Sequence, residues 1–399
     1  MTKFSLAADN FGNAEIEAAI AVLRSGRYTM GEKVKEYETA FAKWVGSKHS
    51  LMVNSGSSAN LLLVEALLRR TQNGASPLKP GDEVIVPALS WPTTVWPLVQ
   101  LGLVPVFVDS DPETLAINLE SAESLLSEKT KGMFLIHVLG RSADMYAVTE
   151  FCQAHHLTLI EDCCETLGAG FHGTHVGRFG LGGSFSHFFS HHLTTIEGGM
   201  IVTDNDELID DLRSYRAHGW IRDRSDKETW KNNYPDLDER FFFVSTGYNV
   251  RPMELQAAIG LVQIEKLSEF VKKRQQVANE VTGRFQNKTP WLTIIGAECL
   301  QETRRNEHSW MNIPILVESS VSKERVMSVF EKNGVETRPI IAGNLTKHPA
   351  IQSINYRKGP LPVCDQVLEN GFMIGCHPDN LNEESLSCVD AALKELQNL

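Results

Sequence analysis

The chain lacks any uninterrupted apolar run of about 18 residues, so no membrane-spanning helix is expected. It also lacks a Lys/Arg cluster. With 50 acidic against 38 basic residues its formal net charge is −12, which argues against nucleic acid as its main ligand. A diphosphate-sized ligand is not excluded, because a few local donors can hold one. The N-terminal segment Met1 to Asn10 carries no apolar signal-peptide stretch, and a cytoplasmic protein is expected. The seven cysteines, Cys152, Cys163, Cys164, Cys299, Cys364, Cys376 and Cys388, include no CxxC pair and read as reduced, buried thiols. There is no HExxH pattern, no internal repeat and no low-complexity linker. Between Lys131 and Lys227 there is no lysine at all.

What is present is an alternation of helical and strand periods. Asn13 to Leu23 and Lys33 to Val45 carry apolar residues at three-to-four spacing, as helices do. Leu51 to Val53, Glu83 to Ala88, Val104 to Asp109, Gly132 to Val138 and Leu157 to Asp162 read as buried strands, with a helix from Ala59 to Leu68 after the first. Continuous apolar strands separated by helix-length segments imply an α/β fold with a mostly parallel sheet covered on both faces. Glu254 to Phe285 reads as a long helix in which an interruption is allowed. Trp310 to Val317, Lys323 to Lys332 and Val335 to Ile341 then give strand, helix, strand. The expected division is a large cofactor-binding α/β domain over 1–270 and a smaller C-terminal α+β domain over 271–399, with the boundary inside 255–290.

Parallel sheets bind ligands at the carboxyl ends of their strands, and the notable polar residues fall there. Asn54-Ser-Gly-Ser-Ser leads into a helix, whose free N–H groups and hydroxyls can cup an anion; a plain serine cap is the alternative. Trp91 follows a strand and could stack on a planar ring or simply pack. Asp162 closes another strand. It could be a metal ligand, a general base, a helix cap, or the partner that keeps a pyridine nitrogen protonated so that the ring can accept electrons. His187, His191 and His192 have no Asp, Glu or Cys nearby to complete a metal set, so no metal is expected.

Several ordered motifs resemble the sugar-modifying aminotransferases of the DegT/DnrJ/EryC1/StrS type, which have fold type I. They are Leu23-Arg-Ser-Gly-Arg-Tyr-Thr-Met-Gly31, Asn54-Ser-Gly-Ser57, Glu161-Asp162, Glu197-Gly-Gly199, Gly247-Tyr-Asn-Val-Arg-Pro252 and Thr337-Arg-Pro-Ile-Ile-Ala-Gly-Asn344. The resemblance covers nearly the whole chain. In that family Ser-Phe-Ser is followed, after three or four residues, by the lysine that binds pyridoxal covalently. Here Ser184-Phe-Ser186 leads to His191 instead. This is similar to the branch in which histidine replaces the lysine and the enzyme removes the C3 hydroxyl of a nucleotide-linked 4-keto-6-deoxyhexose. Ser190-His-His192, Arg216-Ala-His-Gly-Trp220 and Tyr248-Asn-Val-Arg-Pro252 look like its GDP-sugar members.

The resemblance implies pyridoxamine 5′-phosphate, alternating with pyridoxal 5′-phosphate, as a cofactor held without a covalent bond. Gly56, Ser57 and Ser186 would hold its phosphate, with Asn249 reaching in from a neighbouring subunit. Trp91 would stack on the ring, Asp162 would pair with its nitrogen, and Glu165 would lie toward its hydroxyl. His191 would be the proton carrier. His218 would line the sugar pocket and Arg338 would hold a carboxylate or phosphate. His192 reads as structural. L-Glutamate would restore the amine, and a homodimer is expected. Three alternatives stand beside this: a nucleotide-sugar 4-aminotransferase using an unusual base, an iron–sulfur 3-dehydratase of CDP-linked hexuloses, and a non-catalytic binding protein. The iron–sulfur branch has a longer chain with a four-cysteine grouping that these cysteines do not offer.

Overall fold

The structure is a computed structural model and describes residues 3–7, 11–69, 76–285, 289–301 and 307–397. An eight-stranded sheet forms its larger layer. In chain order its strands are β1 (His49–Val53), β2 (Glu83–Pro87), β3 (Val104–Val108), β4 (Thr130–Ile136) and β5 (Thr158–Asp162). After a small hairpin, β6 (Gly170–Phe171) and β7 (Thr174–His175), come β8 (Gly183–Ser186) and β9 (Gly199–Thr203). The spatial order is β1-β9-β8-β5-β4-β2-β3, with β13 (Arg357–Lys358) at the far edge. Only β9 runs antiparallel to its neighbours.

The strands are apolar on both sides because both sides are covered. Val84, Val86, Phe134, Ile136 and Ile160 face one core, shared with the helices Gly56–Leu67 and Pro92–Gln100. Their alternates Ile85, Met133, Leu135 and Leu159 face another, shared with the helix Met145–Ala154. This two-residue alternation is the strand period read on a doubly buried sheet.

A second, wholly antiparallel sheet has the order β10-β11-β14-β12. Its strands are β10 (Leu292–Ile294), β11 (Asn312–Val317), β12 (Thr337–Arg338) and β14 (Gly371–Gly375). The helix Glu254–Phe285 runs without interruption from one core to the other. Ala257, Ile264 and Leu267 pack with Tyr37 and Phe41, whereas Val277, Ala278, Val281 and Phe285 pack with Phe330 and Phe372. The strand expected over Val335 to Ile341 is only two residues long, because Pro339 cannot donate to a ladder.

The fold brings the carboxyl ends of β1, β2, β4, β5 and β8 to one rim. Each end delivers a functional segment: Asn54 to Ser57, Ser90 to Trp91, Ile136 to Leu139, Asp162 to Glu165, and Ser186 to His192. No helix of the described residues is long and apolar enough to cross a membrane.

Candidate active site

A cavity of about 490 Å³ opens at this rim. Gly56, Ser57, Trp91, Asp162, Glu165, Ser186, His191 and Arg338 all line it. Residues as far apart in sequence as Gly56 and Arg338 are thereby drawn around one space. Asn249 and His218 are not among the lining residues. Asn249 is exposed, bridged to Ala217, and accepts a hydrogen bond from Arg251 Nε at 2.9 Å. His218 has a left-handed φ of 63° and packs its ring edge-on to Trp220.

The small-residue turn after β1 works as a helix start. Ser55 caps the helix Gly56–Leu67, its Oγ accepting from Ser58 N at 3.1 Å. The N–H groups of Gly56 and Ser57, which have no intrahelical acceptor, are left for a ligand. A Cβ on Gly56 would come within 2.7 Å of Ser186 Cβ and 2.9 Å of Cys164 Sγ, so only glycine lets β8 pass this close. The serine-cap reading and the anion-cup reading are thus satisfied by different atoms of one turn.

Asp162, 2% exposed, sits at the cavity floor with three donors on its carboxylate. Asn60 Nδ2 and Thr94 Oγ1 each donate to Oδ2 at 2.7 Å, and Cys164 N donates to Oδ1 at 3.0 Å. Ser184 Oγ donates in turn to Asn60 Oδ1 at 2.5 Å. These donors satisfy the buried carboxylate and fix its orientation. The sequence reading gave no role to Asn60 or Thr94, and met Ser184 only as part of its motif. The available signal was Asn60 itself, the lone amide in the apolar run Ala59-Asn-Leu-Leu-Leu-Val64, since a buried amide needs a partner.

Glu165 accepts from Leu139 N at 2.9 Å, and Leu139 holds a left-handed φ of 49° to present that N–H. Burial, offset in part by this bond, pushes the Glu165 carboxyl up to about 7. Trp91 is 55% exposed over the cavity mouth, free to cover a planar ligand.

His191 lies in the loop between β8 and β9. Burial and the Arg274 guanidinium push its imidazole down to about 4, so it is neutral at pH 7. Its Nδ1 is buried with no hydrogen-bond partner among the described residues. His192 is 1% exposed with Nε2 3.2 Å from the Ser309 carbonyl oxygen, and His187 is buried with Nδ1 3.2 Å from Tyr37 Oη. The three histidines therefore diverge instead of converging. The one tight group of potential metal ligands among the described residues is His137, Glu161 and Cys163. Its carboxylate already accepts from the N–H groups of Gly177, Phe179 and Gly180. Burial and the neighbouring carboxylates hold the Cys163 thiol protonated. The group locks the end of β5 in place.

The chain is 38% identical, over 390 residues and 96% of each protein, to the GDP-4-keto-6-deoxy-D-mannose 3-dehydratase of Yersinia pseudotuberculosis. The Escherichia coli enzyme of that name, solved with bound hydrated PLP, superposes with a TM-score of 0.86 at 36% identity over 99% of each chain. A structure of this dehydratase with a trapped PLP-glutamate geminal diamine gives 0.86 at 36% identity, over 98% of this chain and 100% of the other. The model of the DegT/DnrJ/EryC1/StrS aminotransferase family matches residues 9–394, and the chain belongs to that family.

Proposed function

We propose that the chain is a pyridoxamine/pyridoxal 5′-phosphate-dependent 3-dehydratase. Its substrate is a nucleotide-linked 4-keto-6-deoxyhexose, in the first instance GDP-4-keto-6-deoxy-D-mannose, and its place is cytoplasmic deoxysugar synthesis of the O-antigen kind. The observation that carries this reading is that His191 lines the cavity while no lysine does so among the described residues.

The residues present fit such a cofactor. A dianionic phosphate matches the N–H groups of Gly56 and Ser57 with the Ser57 and Ser186 hydroxyls, a flat ring matches Trp91, and a pyridinium nitrogen matches the carboxylate of Asp162. Bound there, the group supplies an amine for the substrate's C4 ketone and a conjugated ring that takes up electrons as the C3 hydroxyl leaves. The chain contributes the proton movements. Neutral His191 accepts a proton and, once charged, returns one to the departing hydroxide. An imidazole has no primary amine with which to form an imine, so it would not compete with the substrate for the cofactor. Asp162, fixed by three donors, holds a positive charge at the ring nitrogen. Glu165, carboxyl near 7, can donate or accept toward a ring oxygen. Arg338, whose Nη1 is engaged by the Thr337 carbonyl and whose Nη2 pairs with Glu336 at 2.7 Å, keeps further donors for the carboxylate of L-glutamate.

Asn249 and His218, outside this cavity in one chain, are proposed to serve the cavity of a second copy in a homodimer. The domain division is proposed to fall within the helix Glu254–Phe285, near residue 270. The test is mass spectrometry of products from GDP-, CDP- and dTDP-linked 4-keto-6-deoxyhexoses with L-glutamate. A 3-deoxy-4-keto sugar from the GDP substrate supports the reading. A 4-amino sugar would make the chain an aminotransferase, and preference for the CDP substrate would move it to the other dehydratase branch.

A further inference from the structure

Arg274 lies midway along the helix Glu254–Phe285 and is 1% exposed. Among the described residues no carboxylate pairs with it. Its two Nη atoms meet backbone carbonyl oxygens from three different segments, while Nε is buried with no hydrogen-bond partner among the described residues. Nη1 donates to Met311 O at 2.8 Å, to Trp310 O at 3.3 Å and to Cys376 O at 3.4 Å, and Nη2 donates to His191 O at 3.5 Å. A buried cation without a counter-ion is costly to keep, and a structure keeps one only where surrounding dipoles are built to hold it. Here those dipoles belong to the entry of β11, the residue after β14, and His191 itself.

We propose that Arg274 is a positioning residue for His191: it ties the carbonyl of the β8–β9 loop to the small sheet and keeps a positive charge behind the imidazole, so that the ring is held in place for proton transfer. This rests on His191 being the proton carrier. The groups facing His191 are His187 and His192 on its own loop, Arg274 from the long helix, and Asp162, Glu165, Glu197 and Arg338 around the cavity. Burial and Arg274 together depress both His191 and His192, and His377 on the far side of Arg274 is lowered by the same two causes. The Cys376 thiol also faces Arg274, but burial pushes it up to about 12, so a cation surrounded by imidazoles, carbonyl oxygens and a neutral thiol biases the group against taking up a proton.

Two variants separate charge from anchoring. Arg274→Gln removes the charge and keeps an amide donor; Arg274→Lys keeps the charge and loses the fork that reaches several carbonyls at once. The decisive readout is the titration of the His191 ring, followed by NMR on histidine-labelled, cofactor-loaded protein and assigned by the signal lost in His191→Asn. This measurement does not depend on turnover. In Arg274→Gln the midpoint should rise by about one unit, and the acid limb of the glutamate half-reaction should move up with it. In Arg274→Lys the midpoint should stay, while the half-reaction slows roughly tenfold and amide exchange across Ser190 to Leu193 quickens. An unmoved His191 midpoint in Arg274→Gln overturns the proposal even if the rate falls, because a purely structural arginine would do that. If Arg274→Gln does not fold, Arg274→Lys decides alone: unchanged exchange and an unchanged half-reaction overturn it. Loss of the half-reaction effect in His191→Asn itself would sink the reading of His191 without touching the measured midpoints.

Discussion

Asn60 Nδ2 donates to Asp162 Oδ2 at 2.7 Å across 102 positions of sequence, and Ser184 Oγ holds Asn60 from the other side. The amide cannot rotate without breaking one bond or the other. This fixes the carboxylate oxygen proposed to face the cofactor ring.

Asn60→Leu should therefore fold, since the residue sits in an apolar helix, but bind pyridoxamine phosphate roughly ten- to a hundredfold more weakly, the scale of losing a hydrogen bond to a buried charged group. Fluorescence titration of cofactor-free protein checks this. The absorption maximum of the bound cofactor should also move as its ring nitrogen loses its fixed partner. Unchanged affinity and spectrum would mean that Thr94 and Cys164 N suffice.

Glu165 offers a pH prediction with a defined sign. Its folded pKa, raised by burial to about 7, lies above the ordinary carboxylate value of 4.5. Between those two values the folded state binds more protons than the unfolded one, so stability falls as pH rises through this window. Glu165→Gln removes the ionisation. Cofactor-free wild type and variant should have similar stability at pH 4.5, and the variant should be the more stable of the two at pH 8. Urea denaturation at the two pH values tests it, and equal differences at both would show that Glu165 is not desolvated.

Much of this site was legible in the chain, and the illegible part has a physical cause. β5 was readable to its last residue because Thr158 to Ile160 is apolar on both faces and Asp162 stops it. The turn Asn54 to Ser57 announced a helix start by composition alone. β8 and β9 were not recognised as strands: each is short, and the loop carrying His191 between them dominates the local pattern. The contacts of Asn60 and Arg274 were invisible for another reason. They join residues 33 to 124 positions apart, and nothing in local periodicity encodes which buried polar group will meet which. His191 stood out only against a known motif, by the absence of lysine.

The proposed homodimer has a test that also reports on Asn249. If Asn249 serves the cavity of the partner, a chain carrying Asn249→Asp and one carrying His191→Asn fail alone for different reasons. Co-refolded in equal amounts they should regain about a quarter of wild-type activity, because half the dimers are mixed and each has one intact cavity. No recovery, with a dimer confirmed by sedimentation, would place Asn249 at its own chain's site, and an Asn249→Asp chain active by itself would place it at none.

The last prediction concerns His191 directly. The residue lines the cavity, is neutral at pH 7, and has an Nδ1 with no partner among the described residues. His191→Asn leaves Gly56, Ser57, Trp91 and Asp162 untouched, so the cofactor should still bind. Dehydration should fall by about 10²- to 10⁴-fold, the usual worth of a positioned acid–base group, and the glutamate half-reaction should fall with it because the same proton moves. His191→Lys places an amine where the cofactor aldehyde is expected. It should give a yellow protein with a borohydride-reducible bond to residue 191, identified by peptide mass mapping, and dehydration should be abolished or strongly slowed. The two variants fail differently: one lacks a proton carrier, the other ties up the cofactor. If His191→Asn dehydrates at the wild-type rate, another base acts, and His218 of a second copy is the first to examine.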